Sequence, residues 1–259
     1  MTVHVSEKGA PLSELAESGA AYALEILKEQ ANSLSVIKQK ACNLSVSEIY
    51  SEVVNHMICA SQSLNDPSLT PLAAVAGAAS DMVADYVAGI GATKIIVNNG
   101  GDIAIRLRER ERATVGLRLN LLRPFHDYAV IIERDCGICT SGIGGRSFTL
   151  GVADGVAVLA LNAAMADVAA TFLANRTTVN SPGIKRVLAE TIYPDTDIPG
   201  AEVTQSVGDL TEEQINTALG MGQAEAHTLM ENNVILGAVL SVKDRLVPLG
   251  YFVNALREV

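Results

Sequence analysis

Apolar positions in the first third of the chain recur at helical spacing. Leu12, Leu15, Gly19, Tyr22 and Ile26 lie three and four apart and predict an amphipathic helix. Ser45-Val-Ser-Glu48 has the form of a capping box, and Val46, Ile49, Val53 and Met57 behind it predict a second helix. Thr70-Pro71 predicts the start of a third, with Thr70 as N-cap and Pro71 at the first helical position. It runs through LAAVAGAASDMVADYVAGI and is closed by Gly89 or Gly91. The pattern then turns to strands: TKIIV, IAIRL, ATVGLRL, YAVIIE and RSFTLG. GVAVLAL reads as a fully buried strand, and Asn162 caps a helix through AAMADVAATFLAN. Thr211-Glu-Glu-Gln214 caps a long helix to about Asn232. NVILGAVLSV, a Lys243-Asp244 turn and RLVPLGYF end the chain as a hairpin.

Helices, a run of strands and helices again place the chain in the α+β class, with mixed or antiparallel sheet packed against helices. No low-complexity linker interrupts it, so residues 1–259 read as a single compact unit. With 49% apolar residues and no tryptophan, the core is built from small aliphatic side chains. The formal charge of −10 argues against nucleic acid as a partner, because phosphate binding requires clustered Lys and Arg. The densest basic stretch, RLRERERATVGLRL from Arg106 to Leu119, is partly cancelled by its own glutamates and reads as a solvated hairpin turn. The first residues carry the pattern of neither a signal peptide nor a lipoprotein signal. The long apolar span Gly151 to Ala174 holds Asp154, Asn162 and Asp167, so it reads as a buried strand and helix and no membrane partner is expected. Cys42, Cys59, Cys136 and Cys139 read as reduced thiols, and the cytoplasm is the expected location. Ala-rich apolar helices suggest a homodimer.

Three segments carry candidate chemistry. In the helix after Asn162, Asp167 and Thr171 are four apart on one face, a carboxylate and a hydroxyl suited to Mg2+. The alternative is a local hydrogen bond on a helix surface. CGICTSGIGGRSF, Cys136 to Phe148, is a glycine-rich stretch able to expose N–H groups to an anion, or else a plain connection. The turn Asn98-Asn-Gly-Gly-Asp102 offers Gly100, Gly101 and Asp102 to a ligand, against the reading of an ordinary Asn-Gly hairpin turn. On the preceding helix Asp81 and Asp85, four apart, read first as a solvated face and otherwise place Asp81 among the ligand contacts. Cys136 and Cys139 form a Cys-x-x-Cys without a second pair and read as structural. His126 is the histidine nearest the strand-rich middle, while His56 reads as a core-edge residue.

Taken together, the three segments resemble the ApbE superfamily, the FAD:protein FMN transferases, from about Leu72 to Asn175. AAVAGAASDMVADYV with IIVNNGGDI is similar to that family's helix and its asparagine-any-Gly-Gly-Asp turn. CTSG is similar to its Thr-Ser-Gly segment, and AAMADVAAT to its Ala-Asp-Ala-x-x-Thr helix. The order and separations point to an uncharacterised, non-lipoprotein branch. The resemblance implies an ApbE-like, T-fold-like architecture, with Mg2+ held by Asp167, Thr171 and a backbone carbonyl around Ala73, and Asp167 as the catalytic residue. It further implies a FAD cleft lined by Gly100, Gly101, Asp102, Thr140 and Ser141, with Asp81 nearby. The implied chemistry is FMN transfer to a threonine of an acceptor protein, or hydrolysis of FAD to FMN and AMP.

The chain also departs from the family. Ala76 stands before Gly77 where the transferases carry lysine, and RSFTLGVADG stands where they carry a histidine and an Asp-Pro-x-x-Gly stretch. Two other readings therefore stand beside the first: a flavin- or nucleotide-binding protein without transferase activity, and an enzyme acting on a different small molecule on the same scaffold.

Overall fold

The computed structural model describes residues 1–120 and 128–258, so His126 lies outside the described residues. The chain begins with β1 (Thr2–Glu7), β2 (Ala10–Pro11), α1 (Ser13–Asn32), a short α2 (Leu34–Ile37), α3 (Glu52–Gln62) and α4 (Val75–Gly89). Then come β3 (Lys94–Asn98), β4 (Ile103–Leu107), β5 (Ala113–Leu117), β6 (Tyr128–Ile132), β7 (Cys136–Ser141) and β8 (Gly155–Ala160). The remainder is α5 (Ala163–Arg176), β9 (Ile184–Leu188), α6 (Ala189–Ile192), β10 (Glu202–Val207) and α7 (Glu212–Glu231). It ends with β11 (Gly237–Val242), β12 (Arg245–Gly250), α8 (Phe252–Ala255) and β13 (Arg257–Glu258). The class is α+β, as its periodicities predict. Among the described residues no helix is long and apolar enough to cross a membrane.

The chain divides into two compact units that interleave in sequence. The first comprises Met1–Val115, Ile131–Cys139 and Leu159–Val168; the second comprises Gly116–Val130, Thr140–Val158 and Ala169–Val259.

In the first unit the strand order is β7-β4-β3-β1-β2, antiparallel throughout. β4 is buried along its whole length, which accounts for the unbroken apolar run around Arg106. α1, α3 and α4 form a helical layer whose core includes Ile26, Ile37, Val53, Val54, Met57, Ile58, Ala78, Ala164 and Val168. Gly19 lets α1 approach β1 and α4: a Cβ there would lie 2.7 Å from Val87 Cγ2 and 3.2 Å from Val3 Cγ1. In the second unit α7 packs on β11 and β12, and β9 pairs with β10. The predicted capping box of α7 is present, Thr211 Oγ1 accepting from Gln214 N while Gln214 Oε1 accepts from Thr211 N. Lys243 and Asp244 both take positive φ between β11 and β12, the backbone of a tight hairpin turn.

Three predicted elements differ. Thr70-Pro71 does not open the α-helix: Pro71–Ala74 form a 3-10 turn, and α4 starts at Val75 behind Ala74. The capping box at Ser45–Glu48 does not open a helix; α3 starts at Glu52, leaving Val46 53% and Ile49 83% exposed. The Asn55 side chain holds this segment in a turn, bonding Ser47 N at 3.1 Å, Ser47 O at 2.9 Å and Tyr50 O at 3.3 Å. RSFTLG is not a strand either. Its backbone is engaged elsewhere: Leu150 N donates to Asn175 Oδ1 (2.9 Å) and Thr149 O accepts from Thr204 N (2.8 Å). The strand of this region is instead CGICTS, β7.

β7 passes so close to the start of α5 that Gly137 has no room for a side chain. A Cβ would lie 2.2 Å from the backbone N and Cα of Ala163. Overpacking costs about 1–3 kcal/mol where side chains can yield. Here the obstacle is backbone, so Gly137→Ala is expected to destabilise by about 3 kcal/mol or more, seen as a lowered urea midpoint at unchanged slope.

Candidate functional site

The site grows from the N-termini of α4 and α5, whose first N–H groups need acceptors from outside the helix. Asn162 Oδ1 accepts from Met165 N at 2.8 Å, the N-cap expected of it. The two remaining donors, Ala163 N and Ala164 N, go to Asp81 of α4, at 3.0 Å on Oδ1 and 2.8 Å on Oδ2. At α4 the cap residue is Ala74, which has no side chain to offer. Its place is taken by Asp167 of α5, whose Oδ2 accepts from Gly77 N at 2.8 Å. The N–H of Ala76 acts on the same carboxylate. Each helix thus supplies the carboxylate that caps the other. Gly77 is required for the approach: a Cβ would lie 2.2 Å from Ala163 O and 2.8 Å from Asp167 Cβ.

Asp81 and Asp85 are therefore not a solvated pair. Asp81 is 1% exposed, and its oxygens also receive Arg106 Nη2 at 3.0 Å and face His56 Nε2 at 3.1 Å. Arg106 forks onto Asp85 through Nε (2.6 Å) and Nη2 (3.0 Å). Burial alone raises the Asp81 pKa, but the His56 hydrogen bond, the Arg106 charge and the two helix N–H groups outweigh it and hold the carboxyl below its ordinary value. Arg106 accordingly departs from the solvated stretch in which the sequence placed it: it is buried, while the turn after it at Glu109 and Arg110 takes positive φ. No motif flagged Arg106. The available signal was a lone arginine in an otherwise apolar strand, together with two carboxylates four apart on a neighbouring helix.

Asp167 has the opposite environment. Burial raises its pKa first, Asp102 adds to that, the Gly77 and Ala76 N–H groups lower it, and Asp81 raises it again; the net position is well above the ordinary carboxylate value. The charges that weigh on it are negative, whereas Asp81 has Arg106. Asp102 is itself buried and closes the β3–β4 turn, whose register pairs Asn98 with Ile103. The turn is a hairpin in which Gly100 and Gly101 take φ of 74° and 112°. Within it Asn99 N donates to Asp102 O at 3.0 Å and Gly101 N to Asn98 Oδ1 at 2.9 Å. α4 fastens it through Ser80 Oγ, which donates to Asp102 O at 2.8 Å.

Thus Asp167, Asp102, Gly100, Gly101 and Asp81 fall in the first unit, around α4. Ala73 lies in the 3-10 turn Pro71–Ala74 that leads into α4. Thr140 and Ser141 are the last residues of β7 and half-buried, and Thr171 stands half-buried one turn after Asp167 in α5; these three belong to the second unit. Among the described residues no three His, Cys, Asp or Glu side chains gather as a metal site. Two buried carboxylates, Asp102 and Asp167, are nevertheless a donor set that fits Mg2+, which takes one or two carboxylates and fills its shell with water and phosphate oxygens. Cys136 and Cys139, three apart on a strand, point to opposite faces. Burial pushes the Cys136 thiol up to about 12 and the Cys139 thiol well above its usual value. Cys139 Sγ donates to Ala163 O at 3.2 Å, in keeping with a structural role.

Removing the Asp81 charge leaves a buried guanidinium with half its compensation, a loss of about 3–5 kcal/mol. Asp81→Asn is expected to fall in that range, whereas Asp85→Asn, with its carboxylate largely in solvent, costs about 1 kcal/mol or less. Because the folded pKa of Asp81 is lowered, its contribution is complete above the unfolded value and lost as acid carries the pH down through the folded one. Chemical denaturation of both variants at neutral and acid pH checks the difference.

A family model described as AbpE bacteria matches residues 1–248. Among curated proteins, a UPF0280 protein of Methanopyrus kandleri is 40% identical over 114 residues, which is 43% of this chain and 45% of that protein. A UPF0280 protein of Methanosarcina acetivorans is 34% identical over 158 residues, 60% of each chain. The chain thus spans about half of the length of these curated relatives. Of solved structures, the apo flavinyl transferase ApbE of Pseudomonas stutzeri is 17% identical with a TM-score of 0.38, over 71% of this chain and 48% of that one. The flavin transferase ApbE of Vibrio cholerae is 15% identical with a TM-score of 0.40, over 96% of this chain and 78% of that one. These scores add nothing to the argument for the site, whereas the family model spans nearly the whole sequence. The chain belongs to the AbpE family, as the co-occurrence of its three segments anticipated.

Proposed function

We propose that this protein is a Mg2+-dependent enzyme that processes FAD, transferring FMN to a protein threonine or hydrolysing FAD to FMN and AMP. The observation that supports the reading is the buried Asp167 carboxyl at the start of α4, whose pKa burial and the neighbouring Asp102 raise well above the ordinary carboxylate value. The solved ApbE proteins are named as flavin transferases, and family membership supports a related chemistry here. Mg2+, when bound, would neutralise the pyrophosphate being cleaved. On this reading Asp167 and Asp102 hold the cation from α5 and the β3–β4 turn, with a carbonyl around Ala73 as a further oxygen donor. Gly100 and Gly101 leave the turn backbone bare of side chains, so a phosphate can approach it. Asp81 has all its contacts within the protein, and its part is to hold the start of α5, and with it Asp167, in place.

The test is titration of FAD with and without Mg2+, followed by chromatography for FMN and AMP, with Asp167→Asn as control. Asn keeps an oxygen for the Gly77 N–H, so the fold is retained. Mg2+-dependent AMP release that disappears in the variant supports the reading. Binding without products identifies a flavin carrier, and the absence of both binding and products identifies an enzyme with another substrate.

Because the folded pKa of Asp167 is raised, Mg2+ binding at its carboxyl competes with a proton. The Mg2+ affinity is expected to rise about tenfold per pH unit below the folded pKa of Asp167 and to level off above it. The stability sign follows: a raised carboxyl contributes below its unfolded pKa, and that contribution is lost as pH rises through the folded one. Without Mg2+ the Tm should fall with rising pH across that window, Mg2+ should restore it, and Asp167→Asn should abolish both effects. Calorimetric Mg2+ titration and thermal melts across the acid-to-neutral range check this.

A further inference from the structure

The outer face of α1 is apolar where a solvated helix would be polar. Leu24 and Leu27 are 61% and 60% exposed, and Ala20 beside them is exposed as well. Along this face runs a groove of about 490 Å³, lined chiefly by α1 residues with Met1 and Val3 of the N-terminal segment and Ala79 and Asn99 along its edge. The same patch therefore holds protruding leucines and a recess that accepts such side chains. Self-complementarity of this kind is what a two-fold contact between identical chains requires.

The charges on the flank select the direction of pairing. Glu17 and Lys28 are eleven residues apart in α1, close to three turns, so both lie along one edge of the apolar face, with Leu24 between them. The other edge carries Ala23 and Gln30, and the latter is buried with its Nε2 on Val75 O at 2.8 Å. In an antiparallel helix pair like edges face each other, which brings Glu17 to Lys28 of the partner subunit on both sides of the two-fold axis. A parallel pair would set the charged edge against the uncharged one. The antiparallel register also lays Leu24 near Ala20 of the partner subunit and Leu27 near Ala16 of the partner subunit. Glu14, Glu25 and Glu29 on the same helix disfavour an anionic membrane surface as the occupant.

We propose that this face of α1 is the interface of a homodimer, an antiparallel α1–α1 contact in which leucines fill the partner's groove and Glu17 pairs with Lys28 of the partner subunit. The contact is independent of the flavin chemistry proposed above.

Sedimentation equilibrium of the full chain tests it. The wild type should have the mass of two subunits at micromolar concentration. Leu24→Glu, on an exposed position, should give a monomer with an unchanged melting curve by circular dichroism at low protein concentration. Glu17→Lys and Lys28→Glu should each weaken association by about tenfold, and the double exchange should restore it. A wild-type monomer at all concentrations overturns the proposal, as does a dimer indifferent to Leu24→Glu. Failure of the double exchange to rescue the single ones overturns the antiparallel register. If Leu24→Glu leaves the mass unchanged but removes FAD binding, the groove belongs to a small molecule and the interface is refuted.

Discussion

Two helix N-termini that cannot cap themselves impose the central constraint on the first unit. α4 starts behind an alanine, and α5 has one capping side chain for three exposed donors. The carboxylates of Asp167 and Asp81 meet both deficits by crossing between the helices. A negative charge at a helix N-terminus is favourable in itself, because the peptide dipoles leave partial positive charge there. Burying the two carboxylates to reach those positions is not, and the two are compensated differently. Asp81 has a guanidinium and an imidazole against it; Asp167 faces Asp102. One carboxylate is consequently held below its ordinary pKa and the other above it.

This exchange requires the backbones to approach closely, and the glycines follow from it. Gly77 and Gly137 stand where α4 and β7 press on the first turn of α5, with no volume for a methyl group. The β3–β4 turn then lies against α4, tied by Ser80 through a backbone oxygen. Its glycines serve the hairpin conformation first. That same conformation, combined with the fixed position of Asp102, is what the proposed ligand site would use as one wall.

Much of this architecture was legible along the chain. The 3.6-residue spacing in α1, the strands on either side of the Asn-Asn-Gly-Gly-Asp turn and both side chains of the α7 capping box are local signals. The structure reproduces them because local geometry is sufficient to define them. The Ser45–Glu48 box misled because its side-chain pattern is equally compatible with a turn, and Asn55 decided for the turn. RSFTLG misled because alternation describes what a strand would present, and its backbone partners were taken by Asn175 and Thr204. β1, β9 and β10 are too short or too polar on one side to stand out from their surroundings.

The candidate site divides in the same way. The amino-acid sequence by itself determined which residue types are present at which helical and turn positions: carboxylates at Asp81, Asp102 and Asp167, glycines at 77, 100 and 101, and the motif order that places the chain in its family. Only the tertiary structure decided which carboxyl has its pKa lowered and which has it raised. That depends on what lies within a few ångströms, and the groups concerned come from elsewhere in the chain: Arg106 from β4 and His56 from α3 for Asp81, Asp102 from the β3–β4 turn for Asp167. Electrostatic free energy is set by separation in space and by burial, and residue spacing along a helix contains neither.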